Sequence, residues 1–141
     1  MAEHNNDNNE LGRAGEARAW VKLSTLGCDL KKPHGNCPYD LEVGLQDKLF
    51  FVEVKIARPK YDEKKKCWQY KATLRNHKFD ILIFFCKLAD DEYHPFIIPA
   101  AELTDVTSIC ITSLLPSNYT GKYAEFYQAW HLFSKLDPVE F

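Results

Sequence analysis

The sequence predicts an α/β domain with a mixed central sheet flanked by helices. Three features predict it: an amphipathic helical segment near the N-terminus, two alternating segments joined by a tight turn, and a later unbroken apolar run of the kind that lies inside a sheet. At 141 residues, with 45% hydrophobic and 27% charged residues, the chain is sized for one hydrophobic core. Met1 to Glu10 is polar and Asn-rich and reads as a flexible tail, which leaves residues 11–141 as a single domain.

Glu10 to Leu26 reads as the first helix, with Leu11, Ala19, Trp20, Leu23 and Leu26 on its apolar face and Gly27 at its C-terminal end. Glu16 lies three, four and seven positions before Ala19, Trp20 and Leu23. Its carboxylate is therefore expected along the buried edge of the helix. The prolines, glycine and asparagine of Lys31 to Pro38 mark an irregular loop. Tyr39 to Gln46 and Leu49 to Ile56 then alternate as two strands, with Asp47-Lys48 as the hairpin turn.

A short strand is expected near Trp68 to Thr73, a central buried strand over Phe79 to Cys86, and an edge strand around Phe96 to Ile98, where Pro95 and Pro99 suit an edge. Ala100 to Leu103 starts a short helical turn, and Ile109 to Leu114 adds a last strand. Tyr119 to Leu136 carries Tyr123, Phe126, Tyr127, Trp130 and Phe133 at helical spacing and reads as a closing helix docked on the sheet.

Composition excludes some functions. No apolar run has the length of a membrane helix, and no apolar stretch marks the N-terminus for export. The five cysteines contain no CxxC pair, which argues against a disulfide framework or a zinc site and fits a reducing cytoplasm. His34 with Cys28 and Cys37 lacks a fourth ligand. The net charge of −2 is unevenly spread: Lys55 to Lys78 holds nine Lys or Arg against Asp62 and Glu63, so this segment carries +7 and the remainder −9.

The chemistry sits in the hairpin. Alternation projects Glu53 and Lys55 from the face opposite Val52, Val54 and Ile56. A turn at Asp47-Lys48 pairs Glu42 with Glu53 and Asp40 with Lys55, which gathers Asp40, Glu53 and Lys55 on one face, provided the register does not slip by one residue. Two carboxylates beside an amine on an apolar sheet make physical sense when a divalent cation joins them. Mg²⁺, held by one or two carboxylates with water and phosphate oxygens, is the natural candidate, and Mn²⁺ could substitute.

Pro38-Tyr39-Asp40 followed by Phe51-Val52-Glu53-Val54-Lys55 resembles the PD-(D/E)xK motif of restriction endonucleases, Holliday-junction resolvases and related nucleases. Gly12-Arg13-Ala14-Gly15-Glu16 is similar to the opening helix of resolvase-like members, and Gly12 to Lys55 most resembles the small group I intron homing endonucleases of this superfamily. Some intron-encoded relatives carry Gln where this chain has Glu53. The resemblance implies a restriction-endonuclease-like αβββαβ core and Mg²⁺-dependent hydrolysis of DNA phosphodiesters. Asp40 and Glu53 would be metal ligands, Lys55 the water-positioning residue and Glu16 a further acid.

On this reading Arg58, Lys60, Lys64, Lys65 and Lys66 would contact phosphates, and Arg75, Asn76 and His77 would contact phosphate or a groove. Homing, restriction, junction-resolving and repair roles stay open, as does a catalytically idle domain that binds nucleic acid or a protein on the same fold. Cutting both strands with one metal site per subunit would require a homodimer or higher homo-oligomer.

Overall fold

The computed structural model describes residues 2–138. Its element order is α1 (Ala2–Thr25), β1 (Asp29–Lys31), β2 (Leu41–Leu45), β3 (Lys48–Ala57), β4 (Lys60–Asp62), β5 (Cys67–Thr73), β6 (Ile81–Ala89), β7 (Glu92–Pro99), β8 (Ser108–Ile111) and α2 (Leu132–Lys135). Five strands form a mixed sheet in the order β1-β2-β3-β6-β7, in which β3 and β6 are parallel and every other pairing is antiparallel. A second sheet has the order β4-β5-β8. No described helix is long and apolar enough to cross a membrane.

The large sheet has two buried faces, and each has its own core. Val43, Phe50, Val52, Ile83 and Ile97 face α1, through Ala19 and Leu23, and the C-terminal Ala129 and Phe133. Leu82, Phe84, Phe96 and Ile98 face the smaller sheet, through Tyr70, Ile109 and Ile111, and the segment bearing Tyr123 and Phe126. Burial on both sides explains why Ile81 to Cys86 is an unbroken apolar run.

Helix α1 begins at Ala2, ahead of the expected Glu10, so residues 2–10, read from sequence as a tail, continue the helix; Met1 lies outside the described residues. No glycine or proline interrupts the segment before Gly12, and extending an existing helix costs far less than nucleating one. Its buried stripe is narrower than periodicity suggests: Gly15, Ala19 and Leu23 are buried while Trp20 and Leu26 are exposed. The helix stops as expected. Gly27 has φ +85°, and the amides of Gly27 and Cys28 donate to the carbonyls of Ser24 and Leu23, closing a Schellman motif over the contact of two buried residues, Leu23 and Cys28.

Two expected helices are replaced. The crossover from β3 to β6 is the β4–β5 hairpin and a loop, where the αβββαβ order places a helix. Tyr119 to Leu136 is not one helix but a 3-10 turn over Ala124–Phe126, extended links and the four-residue α2. Tyr127 pairs with Phe96 and the Gln128 amide donates to the Pro95 carbonyl, so the segment covers the β7 edge with its backbone. The aromatic spacing was real, but its residues divide between the two cores instead of sharing one helical face.

Candidate active site

The β2–β3 hairpin turns one position earlier than expected. Leu45 pairs with Lys48 and Leu41 with Val52, so the turn is Gln46-Asp47, with Gln46 at φ +57°. Each strand position therefore moves by two residues relative to its expected partner. A shift of two preserves the face, and the pairing ends at Leu41 with Val52, which leaves Asp40 just outside the ladder and beside Glu53 instead of opposite Lys55. Glu42 lies opposite Phe51 and not opposite Glu53.

Asp40 sits where the strands part. Its amide donates to the Val52 carbonyl at 2.9 Å, just before β2 begins. Strand β3 runs on to Ala57 beyond the end of its partner, and the Val54 amide donates to Asp40 Oδ2 at 2.8 Å. The carboxylate thus takes the acceptor role that a further β2 residue would have filled. Tyr39 steadies this corner: its ring stacks on Phe51 with centroids 4.4 Å apart, and its hydroxyl donates to Glu42 Oε1 at 3.0 Å.

Glu53 projects from β3 with Lys55, and its carboxyl is in hydrogen-bond contact with that of Asp40. Burial pushes Glu53 up to about 9, and Asp40 and, less strongly, Glu16 add to this; the Lys55 ammonium opposes it. Glu16 reaches the same corner from α1. Its carboxyl is raised by burial and by its contact with Asp40, against the pull of Lys32. Gly15 makes this approach feasible, because a Cβ there would lie 3.3 Å from Ile56 Cβ. The helix backbone rests directly on the strand that carries Lys55.

Asp40 thus stands beside both Glu53 and Glu16 at a fork between two strands, with the Lys55 ammonium on the strand of Glu53. Two carboxylates in hydrogen-bond contact require a proton or a cation between them. The donors are all hard oxygens, which suits Mg²⁺ or Mn²⁺. Among the described residues no three His, Cys, Asp or Glu side chains are placed to hold a metal ion together, so Asp40 and Glu53 are the pair that could. This is compatible with magnesium, which keeps several waters and takes only one or two carboxylates. A depression of about 370 Å³ beside Glu16 is lined by Arg13, Trp20 and Lys32. A larger groove of about 1060 Å³ lies between α1, Tyr93 and Trp130, on the helix-covered face.

The remaining sequence-predicted residues divide into two groups. Arg58, Lys60, Lys64, Lys65 and Lys66 are exposed on and before the β4–β5 hairpin, which leaves directly from the end of β3. Asp62 Oδ1 accepts from the Lys64 and Lys65 amides, 3.0 Å each, and so holds the tip in shape. Arg75, Asn76 and His77 lie on the loop to β6. Asn76 Oδ1 accepts from the Lys78 amide at 2.9 Å, and His77 Nε2 donates to the Val106 carbonyl at 2.7 Å, so those two atoms serve the loop itself.

Sequence reasoning missed Asp80. It is buried, 4% exposed, and it ties β6 to β3: its amide donates to the Phe51 carbonyl and its Oδ2 accepts from the Phe51 amide, 2.7 Å each. The available signal was a charged residue at the head of an otherwise apolar strand.

No protein-family model matches the sequence, and no curated protein does. Among solved structures, the chain is similar to a bacterial homing endonuclease, with a TM-score of 0.68 over 89% of each chain at 18% sequence identity. The two share a fold.

Proposed function

We propose that this protein is a Mg²⁺-dependent endonuclease of the PD-(D/E)xK type that hydrolyses DNA phosphodiester bonds. The observation that carries the reading is the hydrogen-bond contact of the Asp40 and Glu53 carboxyls beside Lys55 at the strand fork. A chance Glu-x-Lys on a solvent-facing strand gives no reason for a second and third acid to converge on it. The fold shared with a bacterial homing endonuclease supports the same class.

Asp40 and Glu53 would hold the metal, with Glu16 as a further acid beside Asp40. Bound there, Mg²⁺ supplies polarisation of the phosphodiester and neutralisation of developing charge. The Val54 amide fixes Asp40 in orientation, and Lys55 Nζ orients the attacking water on the same face. The water oxygen bonds to phosphorus as the bond to the leaving oxygen breaks; the attacking water gives up one proton to solvent and the leaving oxygen takes one up from solvent, so that protons balance. Arg58 and the hairpin lysines contact flanking phosphates, which makes affinity fall with salt. Arg75 extends this contact from the loop to β6.

The test is cleavage of supercoiled plasmid and of a four-way junction, with Mg²⁺ or EDTA, by the wild type, Lys55→Ala and Asp40→Ala. Metal-dependent cutting lost in both variants supports the proposal, and the preferred substrate separates a resolvase from a duplex endonuclease. Undiminished cutting by Asp40→Ala would refute the site. Salt-sensitive DNA binding without any cutting would favour an idle binding domain. Cutting of both strands predicts a homodimer or higher homo-oligomer, which sedimentation on DNA would reveal.

A further inference from the structure

The β4–β5 hairpin carries a feature that phosphate contacts do not explain. Tyr61 and Trp68, paired across its strands, are 49% and 40% exposed, with rings edge-to-face and centroids 5.5 Å apart. Single exposed apolar residues are common on protein surfaces, but two aromatics in contact form a contiguous patch of the kind that marks an interaction surface. The hairpin that carries them is cationic on balance: Lys64, Lys65 and Lys66 form the tip with Glu63, and Lys60 projects from the other side of β4.

The orientation of the pair follows from the strand pattern. Trp68 points to the same side of β5 as Tyr70, and Tyr70 is fully buried in the core with Leu82 and Phe84. Leu82 and Phe84 are the β6 partners of Glu53 and Lys55, and paired residues share a face. The aromatic pair therefore continues the core toward the hairpin tip on the side of the sheet from which Glu53 and Lys55 project. Exposed rings at the base of a lysine-rich tip suit a nucleobase: the rings offer stacking and the tip lysines engage the backbone next to it. An apolar protein partner would leave the three tip lysines without a counter-charge.

We infer that Trp68, supported by Tyr61, stacks on an unstacked base of the bound DNA strand near the cleaved bond, so that the hairpin holds the strand open. This rests on the DNA-binding half of the function proposed above. The test is binding of the full chain, in EDTA so that nothing is cut, to a fluorescent duplex with a single-nucleotide bulge and to its fully paired counterpart.

Trp68→Ala should weaken bulge binding about 10-fold to 100-fold, with the salt slope unchanged. Trp68→Phe should restore most of it. Replacing Lys64, Lys65 and Lys66 with Ala should instead reduce the salt slope by up to about 2.7. In a Trp20→Phe, Trp130→Phe chain, in which Trp68 alone emits, the bulged duplex should quench the fluorescence.

Unquenched emission on saturation, or a folded Trp68→Ala chain that binds within about twofold of wild type, would overturn the inference. The two proposals fail separately. Cutting that ignores Trp68 defeats stacking and leaves the nuclease. Trp68-dependent binding without cutting defeats the nuclease and leaves stacking.

Discussion

Glu53→Gln should make the metal-free protein more stable at alkaline pH. In the unfolded chain Glu53 ionises near 4.5; in the folded chain burial and Asp40 hold its proton until about 9. Between these values the native state binds more protons than the unfolded state, so stability present below pH 4.5 is lost as pH rises toward 9. Realised in full, that displacement would correspond to about 6 kcal/mol. Glu53 is only half-buried, and solvent screening reduces the expectation to about 2–3 kcal/mol. For a chain of this size the loss is about 5–10 °C in Tm.

Gln keeps the shape and the hydrogen bond to Asp40 but does not titrate. The assay is thermal denaturation followed by circular dichroism, in EDTA, at intervals from pH 5 to pH 9. The wild-type Tm should fall relative to the variant, with the gap widest at the alkaline end. Curves that remain parallel across the range would refute the claim that the Asp40–Glu53 contact stores a proton.

Three further outcomes follow from the same geometry. Millimolar Mg²⁺ at pH 8 should raise the wild-type Tm and leave Asp40→Asn nearly unmoved; equal shifts in both would remove the acids from metal binding. Gly15→Val should crowd Ile56, cost about 1–3 kcal/mol and lower cleavage by moving Glu16, and Ile56→Ala should restore both, as paired melting and plasmid assays would show. Asp80→Ala should cost about 1–3 kcal/mol in urea unfolding, because the Phe51 amide loses its carboxylate acceptor; a loss below about 0.5 kcal/mol would contradict the tie between β3 and β6.

Periodicity alone carried much of this protein. Alternation along β3 put Glu53 and Lys55 on one face, and because a hairpin slip of two residues preserves faces, Asp40 joined them despite the misplaced turn. The Gly27 stop of α1, the edge prolines of β7 and the turn at Ala100–Leu103 were equally readable, since each depends on local backbone preference. Tertiary structure decided what depends on contacts between distant residues. It set Asp40 against the Val54 amide, brought Glu16 in over Gly15, buried Asp80 on Phe51 and drew the aromatic C-terminal segment out along the β7 edge. A helical pattern yields when an open strand edge and two separate cores offer the same residues more burial and more backbone hydrogen bonds than a single helix could.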